Sequence, residues 1–600
     1  MKNVKMFNRS LAYSLKLYYR SGKLLILLYL FLNLISATLP LALAFIFKYL
    51  LDALTEQTFD VPQIIMYVGL YVADLVLIHI VKSFNKTVND SLLKKADHQY
   101  ECELLNRMKD LSVSFIDTSK GKDMIDDMRS IKNTAIYLPL RVIDIVSLLY
   151  SFFVAFTALI KFNIPFSLLF LILTVPGIVI DIIFDEKSDD LRRKTAPDVR
   201  RFCYYRWMLT DAWPAKDVRM YDLTEPIKAR YDSEKDEYRA ANKRLDKKRL
   251  AMSVVMELIT RSGELSFTVF VIINALKGAV SIGDVVLYTG FAVSATAAFS
   301  QMMGGIAIAY TRTTKRMGRL FDFLSIKDTE DKYGTRTIES FQSLRFENVY
   351  FKYPLTEKYI LKGASFTLNR GDKMSIVGIN GSGKSTIIKL MLGLYEIESG
   401  QIYINDRPYF EYDRREIRKL FSVLFQSFVQ YPLTLRDNIT LSDYKSNRSD
   451  GEIIDALSKS DIYEEILPYL DNGLDSYMTR QFDDKGTELS KGQWQKIALS
   501  RVYYKDAPII VFDEPSASLD AEAEDRIFKN FEKVSDNKTG IMISHRISAS
   551  RMSNKIIVLD DGRIAEEGTH GELMLRGGLY AKLFNLQKEK YTAEELKTGA

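Results

Sequence analysis

The chain has 600 residues, of which 47% are hydrophobic and 26% are charged, and its formal net charge is only +6. That small positive excess gives no electrostatic basis for binding nucleic acid, so we expect no nucleic-acid partner. The two cysteines, Cys102 and Cys203, lie far apart and without metal-ligand spacing, which predicts idle or buried thiols. No short apolar segment of the cleavable kind precedes the first long apolar run, so we expect no removed signal peptide.

Six apolar runs in the first half are long enough to cross a bilayer, for which about 20 residues suffice. Lys and Arg are dense in the N-terminal segment, in the two long connections between runs and after the last run. The positive-inside rule therefore places both termini and both long connections in the cytosol. We predict a six-helix transmembrane domain over residues 1–325, and the Lys-, Ile- and Tyr-rich composition favours a bacterial plasma membrane. The runs cover residues 24–47, 61–81, 134–160, 162–180, 252–276 and 285–310.

The two long connections, 82–133 and 181–251, show apolar residues at helical spacing among charges. This pattern predicts helices over 85–108 and 227–250 that continue the membrane helices into the cytosol. Each connection also contains a short mixed segment, and these segments cover residues 111–122 and 213–221. We interpret them as short helices that dock on a soluble domain and transmit its motion. The alternative is a solvent-exposed turn.

Three ionisable residues, Asp74, Arg261 and Glu264, fall near the middle of the predicted bilayer, where charges are costly and usually paired or functional. In one interpretation they are paired, with Arg261 bound to Glu257 four residues earlier or to Asp74 on another helix. In the other, Asp74 and Glu264 line a wet cavity that favours a cationic or zwitterionic cargo. The sequence leaves both interpretations open.

Residues 378–386 read Gly-Ile-Asn-Gly-Ser-Gly-Lys-Ser-Thr and fit the phosphate-loop pattern GxxxxGK[ST]. A strand-like run precedes the loop and a helical run follows it, which is the context that this pattern requires. Successive backbone N–H groups can then surround a phosphate, while Lys384 reaches the β- and γ-phosphates and Ser385 ligates Mg²⁺. The alternative is a glycine-rich turn without a ligand. The loop residues expected to contact ATP are Gly378, Asn380, Gly381, Ser382, Gly383, Lys384, Ser385 and Thr386.

An apolar run over residues 507–512 ends in two carboxylates, Asp513 and Glu514. A buried parallel strand is apolar throughout, and its C-terminal end is where α/β sheets place ligands. We therefore expect Asp513 to hold Mg²⁺, and Glu514 to orient and deprotonate the attacking water. Phosphoryl transfer needs mainly positioning and charge neutralisation, so Lys384, Mg²⁺ and Glu514 form an adequate minimal set.

Further short segments occur around this loop in a fixed order: Tyr353 after the strand-like run 344–351, Phe-Gln-Ser at 425–427, Leu-Ser-Lys-Gly-Gln at 489–493, Ser-Leu-Asp at 518–520 and Ile-Ser-His-Arg at 543–546. With this order the chain resembles the ABC transporters, specifically an exporter-type half-transporter, over nearly its whole length. The resemblance implies an all-α transmembrane domain followed by an α/β P-loop ATPase domain at 344–590, with a linker at 326–343 and a tail at 591–600. It also implies that segments 111–122 and 213–221 are coupling helices.

The resemblance further implies roles for single residues. One aromatic residue stacks on adenine, the signature loop contacts nucleotide, and a catalytic set assists hydrolysis. The implied adenine contact is Tyr353; the signature contacts are Ser490, Gly492 and Gln493; the D-loop residue is Asp520; the Mg²⁺ ligands are Ser385, Gln426 and Asp513; and the catalytic set is Glu514, His545, Lys384 and Gln426. One departure from the family pattern is Lys491, which replaces the first glycine of the signature.

In proteins that this chain resembles, the signature loop caps the ATP held by the opposite subunit. The resemblance therefore implies a second half-transporter as partner, with a homodimer favoured and a heterodimer as the alternative. It implies an ATP-driven exporter, and an ATP-gated channel or regulatory membrane sensor on the same fold is the competing function. The residues Gly-Gln-Trp-Gln-Lys at 492–496 resemble bacterial exporters of modified peptides, which favours a peptide cargo over a lipid or drug.

Overall fold

The computed structural model describes residues 2–55, 60–327, 334–446, 448–514, 521–544 and 547–587. The chain divides into two compact units, one formed by Met1–Arg107 with Met124–Ser325 and the other by Met108–Asp123 with Ile326–Ala600. The first unit is helical, and the second contains the β-sheets. The helices of the first half, in chain order, are α1 (Lys2–Thr55), α2 (Val61–Asp110), α3 (Val113–Ile116), α4 (Ser119–Phe162), α5 (Ile164–Lys194), α6 (Ala196–Thr210), α7 (Ala215–Met220), α8 (Thr224–Leu276) and α9 (Ile282–Leu324).

Five of the six predicted apolar runs each lie on one long helix, namely α1, α2, α4, α8 or α9, and the run 162–180 begins at Phe162, the last residue of α4, and continues on α5. The predicted helices over 85–108 and 227–250 are confirmed, because α2 and α8 run unbroken through them, while their cytosolic placement remains a prediction. Among the described residues, four helices are long and apolar enough to cross a membrane. They are α1 from Gly22 onward, α2, α4 and α9 up to Ala307. The full count of six membrane spans therefore remains a prediction.

Among its described residues, the first unit buries an apolar cluster between its helices and exposes many other apolar side chains. The cluster is built from residues such as Phe152, Phe267 and Phe291. By contrast, Leu24 is 83% exposed and Leu265 is 65% exposed on helices that would face lipid. Soluble monomers rarely expose extended apolar surface, so these outward faces fit a hydrocarbon surrounding.

Polar contacts tie three helices of the first unit together. The hydroxyl of Tyr29 on α1 donates to Asp144 Oδ1 on α4 at 3.1 Å. Arg319 Nη1 on α9 pairs with Asp127 Oδ2 on α4 at 2.8 Å. At the other end of α9, Asp284 pairs with Lys48 of α1 at 2.5 Å. Helices α1, α4 and α9 therefore enclose a common space.

The second unit contains two sheets. A four-stranded antiparallel sheet has the strand order β2-β1-β4-β5, and a six-stranded sheet has the order β10-β9-β3-β8-β7-β6. In the larger sheet all neighbouring pairs are parallel except β9 with β10. The strands are β1 (Ser343–Phe351), β2 (Leu361–Asn369), β3 (Lys373–Gly378), β4 (Ser399–Ile404), β5 (Arg407–Pro408), β6 (Phe421–Leu424), β7 (Ile509–Asp513), β8 (Thr539–Ile543), β9 (Lys555–Asp560) and β10 (Arg563–Gly568).

Helices cover the sheets of the second unit and complete its core. The strand runs 344–351 and 374–377 and the helical run after the phosphate loop are confirmed as β1, β3 and α10. The predicted α/β architecture of this half is likewise confirmed. The helices are α10 (Lys384–Met391), α11 (Arg414–Lys419), α12 (Leu435–Thr440), α13 (Asp450–Lys459), α14 (Tyr463–Ile466), α15 (Lys491–Lys505), α16 (Ala521–Ser535) and α17 (His570–Arg576).

The segment Met108–Asp123 clusters with the sheet-containing unit, although it falls within the predicted membrane domain of residues 1–325. The physical reason is local packing. Leu111 is 2% exposed, and Val113 packs against the main hydrophobic core of the second unit. The hydroxyl of Tyr395 donates a hydrogen bond to the Asp117 carboxylate. Both segments predicted as short helices contain one, α3 within 111–122 and α7 within 213–221.

Candidate nucleotide-binding site

The phosphate loop connects the end of β3 to the start of α10, and two of its glycines are required by geometry. A Cβ atom on Gly378 would lie 2.3 Å from the Leu559 carbonyl oxygen and 2.8 Å from Ser382 Oγ. Gly383, the N-cap of α10, has a φ of 107°, a conformation that side chains disfavour. The loop can therefore close tightly only with glycine at these positions.

Two polar groups of the loop, the Ser382 hydroxyl and the Lys384 ammonium, are suited to bind a ligand. The hydroxyl of Ser382 is buried and finds no hydrogen-bond partner among the described residues. Lys384 is 4% exposed, and its ammonium donates to the carbonyl oxygens of Gly378 at 2.9 Å and Ile379 at 3.1 Å. Burial lowers the pKa of Lys384, against the opposing effect of the Glu514 and Asp513 carboxylates. A polyphosphate fits this loop because it would supply both an acceptor for the orphaned hydroxyl and a counter-charge for the ammonium.

Two oxygen ligands meet where β7 faces the loop. Ser385 Oγ donates to Asp513 Oδ1 at 3.0 Å, and Asp513 is 6% exposed. Burial raises the pKa of the Asp513 carboxyl, and the neighbouring Glu514 adds to the effect. Among the described residues there is no group of three or more His, Cys, Asp or Glu that could hold a metal ion. The Ser385–Asp513 pair itself fits Mg²⁺, which is usually held by one or two protein oxygens together with substrate phosphates.

Glu514 leaves the strand in a strained conformation that directs its side chain to the same place. Its φ is 50°, which is uncommon for a residue other than glycine. Its backbone N–H donates to the Ile543 carbonyl at 2.9 Å, so β8 fixes the turn. Gln426, just beyond β6, donates from Nε2 to Glu514 Oε2 at 2.8 Å. The carboxylate is therefore positioned from two neighbouring strands.

These groups border one cavity of about 420 Å³, within the range of about 300–1,000 Å³ that is usual for ligand pockets. Tyr353 lies in its wall, with its hydroxyl 3.1 Å from Thr386 Oγ1 and its ring edge-to-face with Tyr395 at 5.2 Å. Ile360 also lines the cavity, and no sequence pattern indicates it because it belongs to no motif. The lining residues are Tyr353, Ile360, Asn380, Gly381, Gly383, Lys384, Ser385, Thr386, Gln426 and Glu514.

The signature residues lie elsewhere in the same unit. Ser490 is the N-cap of α15 and forms a reciprocal capping box with Gln493, which also donates to Glu465 Oε1 at 3.0 Å. Ser490, Gly492 and Gln493 line a separate cavity of about 180 Å³ that shares no residue with the phosphate-loop cavity. A Cβ on Gly492 would meet nothing closer than Ser490 Oγ at 4.0 Å, so its own chain does not require glycine there. Within one chain, the structure does not bring the signature to the phosphate loop.

Two further residues predicted at the site, Asp520 and His545, lie outside the described residues. In the membrane unit, Arg261 pairs with Glu257 at 2.9 Å and with Glu264 at 2.7 Å. The alternative pairing with Asp74 is not formed, and Asp74 Oδ2 is buried without a hydrogen-bond partner among the described residues. Arg261, Glu257 and Glu264 of α8 are thus paired with one another, as the first interpretation of the sequence expects.

The site combines a phosphate loop with a Ser–Asp pair and a Gln–Glu pair at the ends of parallel strands. The same chain has helices that can cross a membrane. Together these features define a membrane-bound P-loop ATPase. Comparison with known families narrows the class. The family described as ABC transporter matches residues 361–517, and the ABC transporter transmembrane region matches residues 26–299. The chain belongs to the ABC transporters. It is a nucleotide-binding membrane protein that hydrolyses ATP to drive transport.

Similar proteins include bacterial transporters of several kinds. The chain is 28% identical over 564 residues to the subtilin transport ATP-binding protein SpaT of Bacillus subtilis, covering 92% of this chain and 90% of that protein. It is 28% identical over 594 residues to the nisin transport ATP-binding protein NisT of Lactococcus lactis subsp. lactis, covering 95% of each. An ATP-dependent lipid A-core flippase of Haemophilus ducreyi is 34% identical over 295 residues, which is 49% of this chain and 48% of that protein.

The fold is that of the exporter type. The structure of a bacterial Atm1-family ABC exporter with ATP bound superimposes with a TM-score of 0.76 at 23% identity. The match covers 94% of this chain and 98% of that chain. The predicted exporter fold is therefore confirmed over nearly the whole sequence.

Proposed function

We propose that two copies of this ATP-driven exporter form one transporter, and that it moves a peptide outward across a bacterial plasma membrane. The relatives matched over nearly the full chain are named for transport of subtilin and nisin, which supports a peptide over a lipid or drug. A heterodimer with a related half-transporter is the alternative assembly. Both termini and the ATPase domain lie in the cytosol in this proposal, because the Lys- and Arg-rich connections favour that side.

Each residue at the phosphate-loop cavity has a defined task in this proposal. The loop N–H groups and Lys384 bind the phosphates of ATP, and Tyr353 holds the adenine ring. Ser385, Asp513 and Gln426 would hold Mg²⁺, which neutralises phosphate charge when bound. Glu514 orients a water molecule and accepts its proton. The observation that carries the proposal is the hydrogen bond from Gln426 to Glu514 at the edge of this cavity.

The separation of the two cavities supports assembly as a dimer. The signature residues open onto a space that excludes every residue of the phosphate-loop cavity. Gly492 leaves room at the start of α15 that its own chain does not use. A second copy could bring its bound nucleotide against this position, so that each ATP is held by the phosphate loop of one chain and the signature of the other. Asp520 and His545 complete the site in this proposal.

Segments 111–122 and 213–221 serve as coupling helices in this proposal. Leu111 and Ser112 are almost fully buried, and Asp117 accepts a hydrogen bond from Tyr395. Because the first of these segments continues directly into α2 and α4, movement of the ATPase domain would be transmitted to both helices. ATP binding would close the dimer and open the cargo site outward, and hydrolysis would reset it.

The proposal is tested with the full chain reconstituted in liposomes. Glu514→Gln should lower ATP hydrolysis by about 10²- to 10⁴-fold, the usual contribution of a general base, and should accumulate a dimer with bound ATP. Glu347→Gln, which changes an exposed carboxylate on β1, should behave as wild type. ATP-dependent peptide uptake into inverted vesicles should accompany hydrolysis in the wild type. Rapid turnover by Glu514→Gln, or a passive conductance without uptake, would contradict the proposal.

A further inference from the structure

A cavity of about 560 Å³ lies within the membrane unit, between α1, α4 and α9. Its size falls within the usual range of ligand pockets, about 300–1,000 Å³. None of the three intramembrane residues singled out from the sequence, Asp74, Arg261 and Glu264, contributes to its wall. The cavity is lined by Asn33, Ser36, Ala37, Pro40, Leu41, Arg141, Asp144, Ile145, Ser147, Leu148, Ser151, Ser294, Gln301 and Gly305.

Eight of the 14 residues that line this cavity have polar side chains, although they lie on largely apolar helices. It presents four serine hydroxyls, two carboxamides, one guanidinium and one carboxylate. Polar groups at membrane depth are costly unless they are paired or used by a ligand. The groups named are Ser36, Ser147, Ser151, Ser294, Asn33, Gln301, Arg141 and Asp144.

Several of these groups retain unused hydrogen-bonding capacity. Ser36 Oγ is buried and has no hydrogen-bond partner among the described residues. Among the described residues, Gln301 forms no hydrogen bond, and Arg141 forms no ion pair within 4.0 Å although its charge acts on Asp144 one turn later. Asp144 receives one hydrogen bond at Oδ1, from Tyr29, which leaves its second oxygen available. Asn33 uses Nδ2 to donate to the Tyr29 carbonyl at 2.9 Å, which leaves its carbonyl oxygen as an acceptor.

These groups are arranged in order along the cavity. With the proposed orientation, Arg141, Asn33 and Gln301 lie about 10–14 Å from the cytosolic ends of their apolar runs, at 1.5 Å per residue. By the same count Ser151 and Ser294 lie about 24–26 Å from those ends. Charges and amides therefore face the side from which an exported cargo enters, and hydroxyls follow at greater depth.

We propose that this cavity is the cargo site, and that it binds a peptide segment carrying both a carboxylate and an ammonium group. Arg141 pairs with the carboxylate and Asp144 with the ammonium, while Asn33, Gln301 and Ser36 bind the peptide amides. A peptide matches the wall better than a lipid does, since it offers donors and acceptors along its whole length rather than at a headgroup alone. The inference rests on the proposed export of a peptide and names the residues that select it.

The experiment measures binding of defined peptides to the full chain in liposomes, by fluorescence of a labelled probe. The probe is the blocked tetrapeptide acetyl-Lys-Ser-Gly-Glu-amide, and its analogues replace Glu with Gln or Lys with norleucine. Arg141→Gln should weaken binding of the probe about tenfold, the effect of losing one charged hydrogen bond, and should not change binding of the Gln analogue. Asp144→Asn should show the same selectivity toward the Lys position. Arg249→Gln, which removes an arginine paired with Asp181 on another helix, is the matched control.

Three outcomes separate the possibilities. If peptide uptake occurs but neither variant changes the preference for charged probes, the cavity assignment is overturned while the proposed function stands. If the wild type moves no peptide at all, the proposed function fails. If Arg141 and Asp144 instead govern ATP-dependent movement of a zwitterionic phospholipid and no peptide binds, the cavity selects lipid and the inference is overturned.

Discussion

Gln426 Nε2 lies 2.8 Å from Glu514 Oε2, so the amide after β6 holds the carboxylate that follows β7. These two strands are neighbours in the parallel sheet, and both residues line the phosphate-loop cavity. A hydrogen bond to an ionised carboxylate contributes more than one between neutral groups, about 1.5–3 kcal/mol. Gln426 therefore positions Glu514 by pairing with one of its oxygens.

Replacing Gln426 with Ala should lower kcat for ATP hydrolysis about tenfold or more while changing KM for ATP less. The reason is that Glu514 loses its orientation, whereas the phosphate loop remains intact. Steady-state ATPase measurements over a range of ATP concentrations separate the two parameters. Gln401→Ala on β4 is the control and should match the wild type. A large rise in KM with unchanged kcat would show that Gln426 acts in binding rather than in positioning the carboxylate.

Features that depend on local spacing could be predicted from the sequence. The phosphate loop between β3 and α10 and the apolar run ending at Asp513 and Glu514 were predicted because each requirement falls within a few adjacent residues. The contact between Asp117 and Tyr395 spans 278 residues and could not be predicted. The cavity at Arg141 depends on how three helices are rotated about their axes, which apolar composition does not specify.

One contact of Tyr353 could not be predicted from the sequence. Tyr353 was assigned to adenine stacking by resemblance alone, and in the structure its hydroxyl contacts Thr386 of the phosphate loop. No periodicity in the sequence indicates that contact, because it joins a loop to a helix that are neighbours only in the folded domain. Adenine stacking remains a prediction for this residue.

Lys491→Gly, which restores the usual signature, should raise KM for ATP and reduce its dependence on salt. Lys491 is exposed at the first position of α15, and a cation there opposes the helix dipole. Attraction of Lys491 to phosphate held by the second subunit would offset this unfavourable interaction with the helix dipole. Salt screens such an attraction. ATPase activity measured at low and high ionic strength checks this, with Lys459→Gln as an exposed-lysine control. If KM for ATP depends on salt equally in Lys491→Gly and Lys459→Gln, Lys491 makes no contact with the nucleotide.

His570 should make the ATPase domain less stable in mild acid. Burial lowers the pKa of His570, and the nearby Arg551 lowers it further. Its ring Nδ1 lies 2.8 Å from the Tyr580 hydroxyl. Because the folded chain disfavours the protonated ring, this contribution to stability is complete above the unfolded pKa of about 6.5 and is lost as pH falls through the lower folded pKa.

The thermal unfolding midpoint of the full chain, measured from about pH 8 to pH 5, tests this expectation about His570. The comparison variant is His570→Gln, which does not titrate and can still hydrogen-bond to Tyr580. As the pH falls, the unfolding midpoint of the wild type should decrease more than that of His570→Gln. A difference that stays constant across the range would mean that the histidine is not the titrating group.

Tyr395→Phe should uncouple ATP hydrolysis from transport more than it impairs hydrolysis. The Tyr395 hydroxyl donates to Asp117 in the first coupling segment, while its ring packs edge-to-face against Tyr353 at 5.2 Å. Tyr353 in turn contacts Thr386 at the start of α10. These contacts form a continuous physical connection between the phosphate loop and the segment that joins α2 to α4.

Phenylalanine keeps the ring contact with Tyr353 and removes only the hydrogen bond to Asp117, so the nucleotide cavity should be preserved. The ratio of peptide transported to ATP hydrolysed, measured in the same vesicles, should fall severalfold, and Asp117→Asn should have a smaller effect because the amide oxygen can still accept from the tyrosine hydroxyl. Tyr412→Phe, which alters a tyrosine bonded to the Ile404 carbonyl within the same unit, controls for general loss of stability. If transport and hydrolysis fall in equal proportion in Tyr395→Phe, the hydrogen bond to Asp117 supports the fold of the domain and does not couple it to the membrane helices.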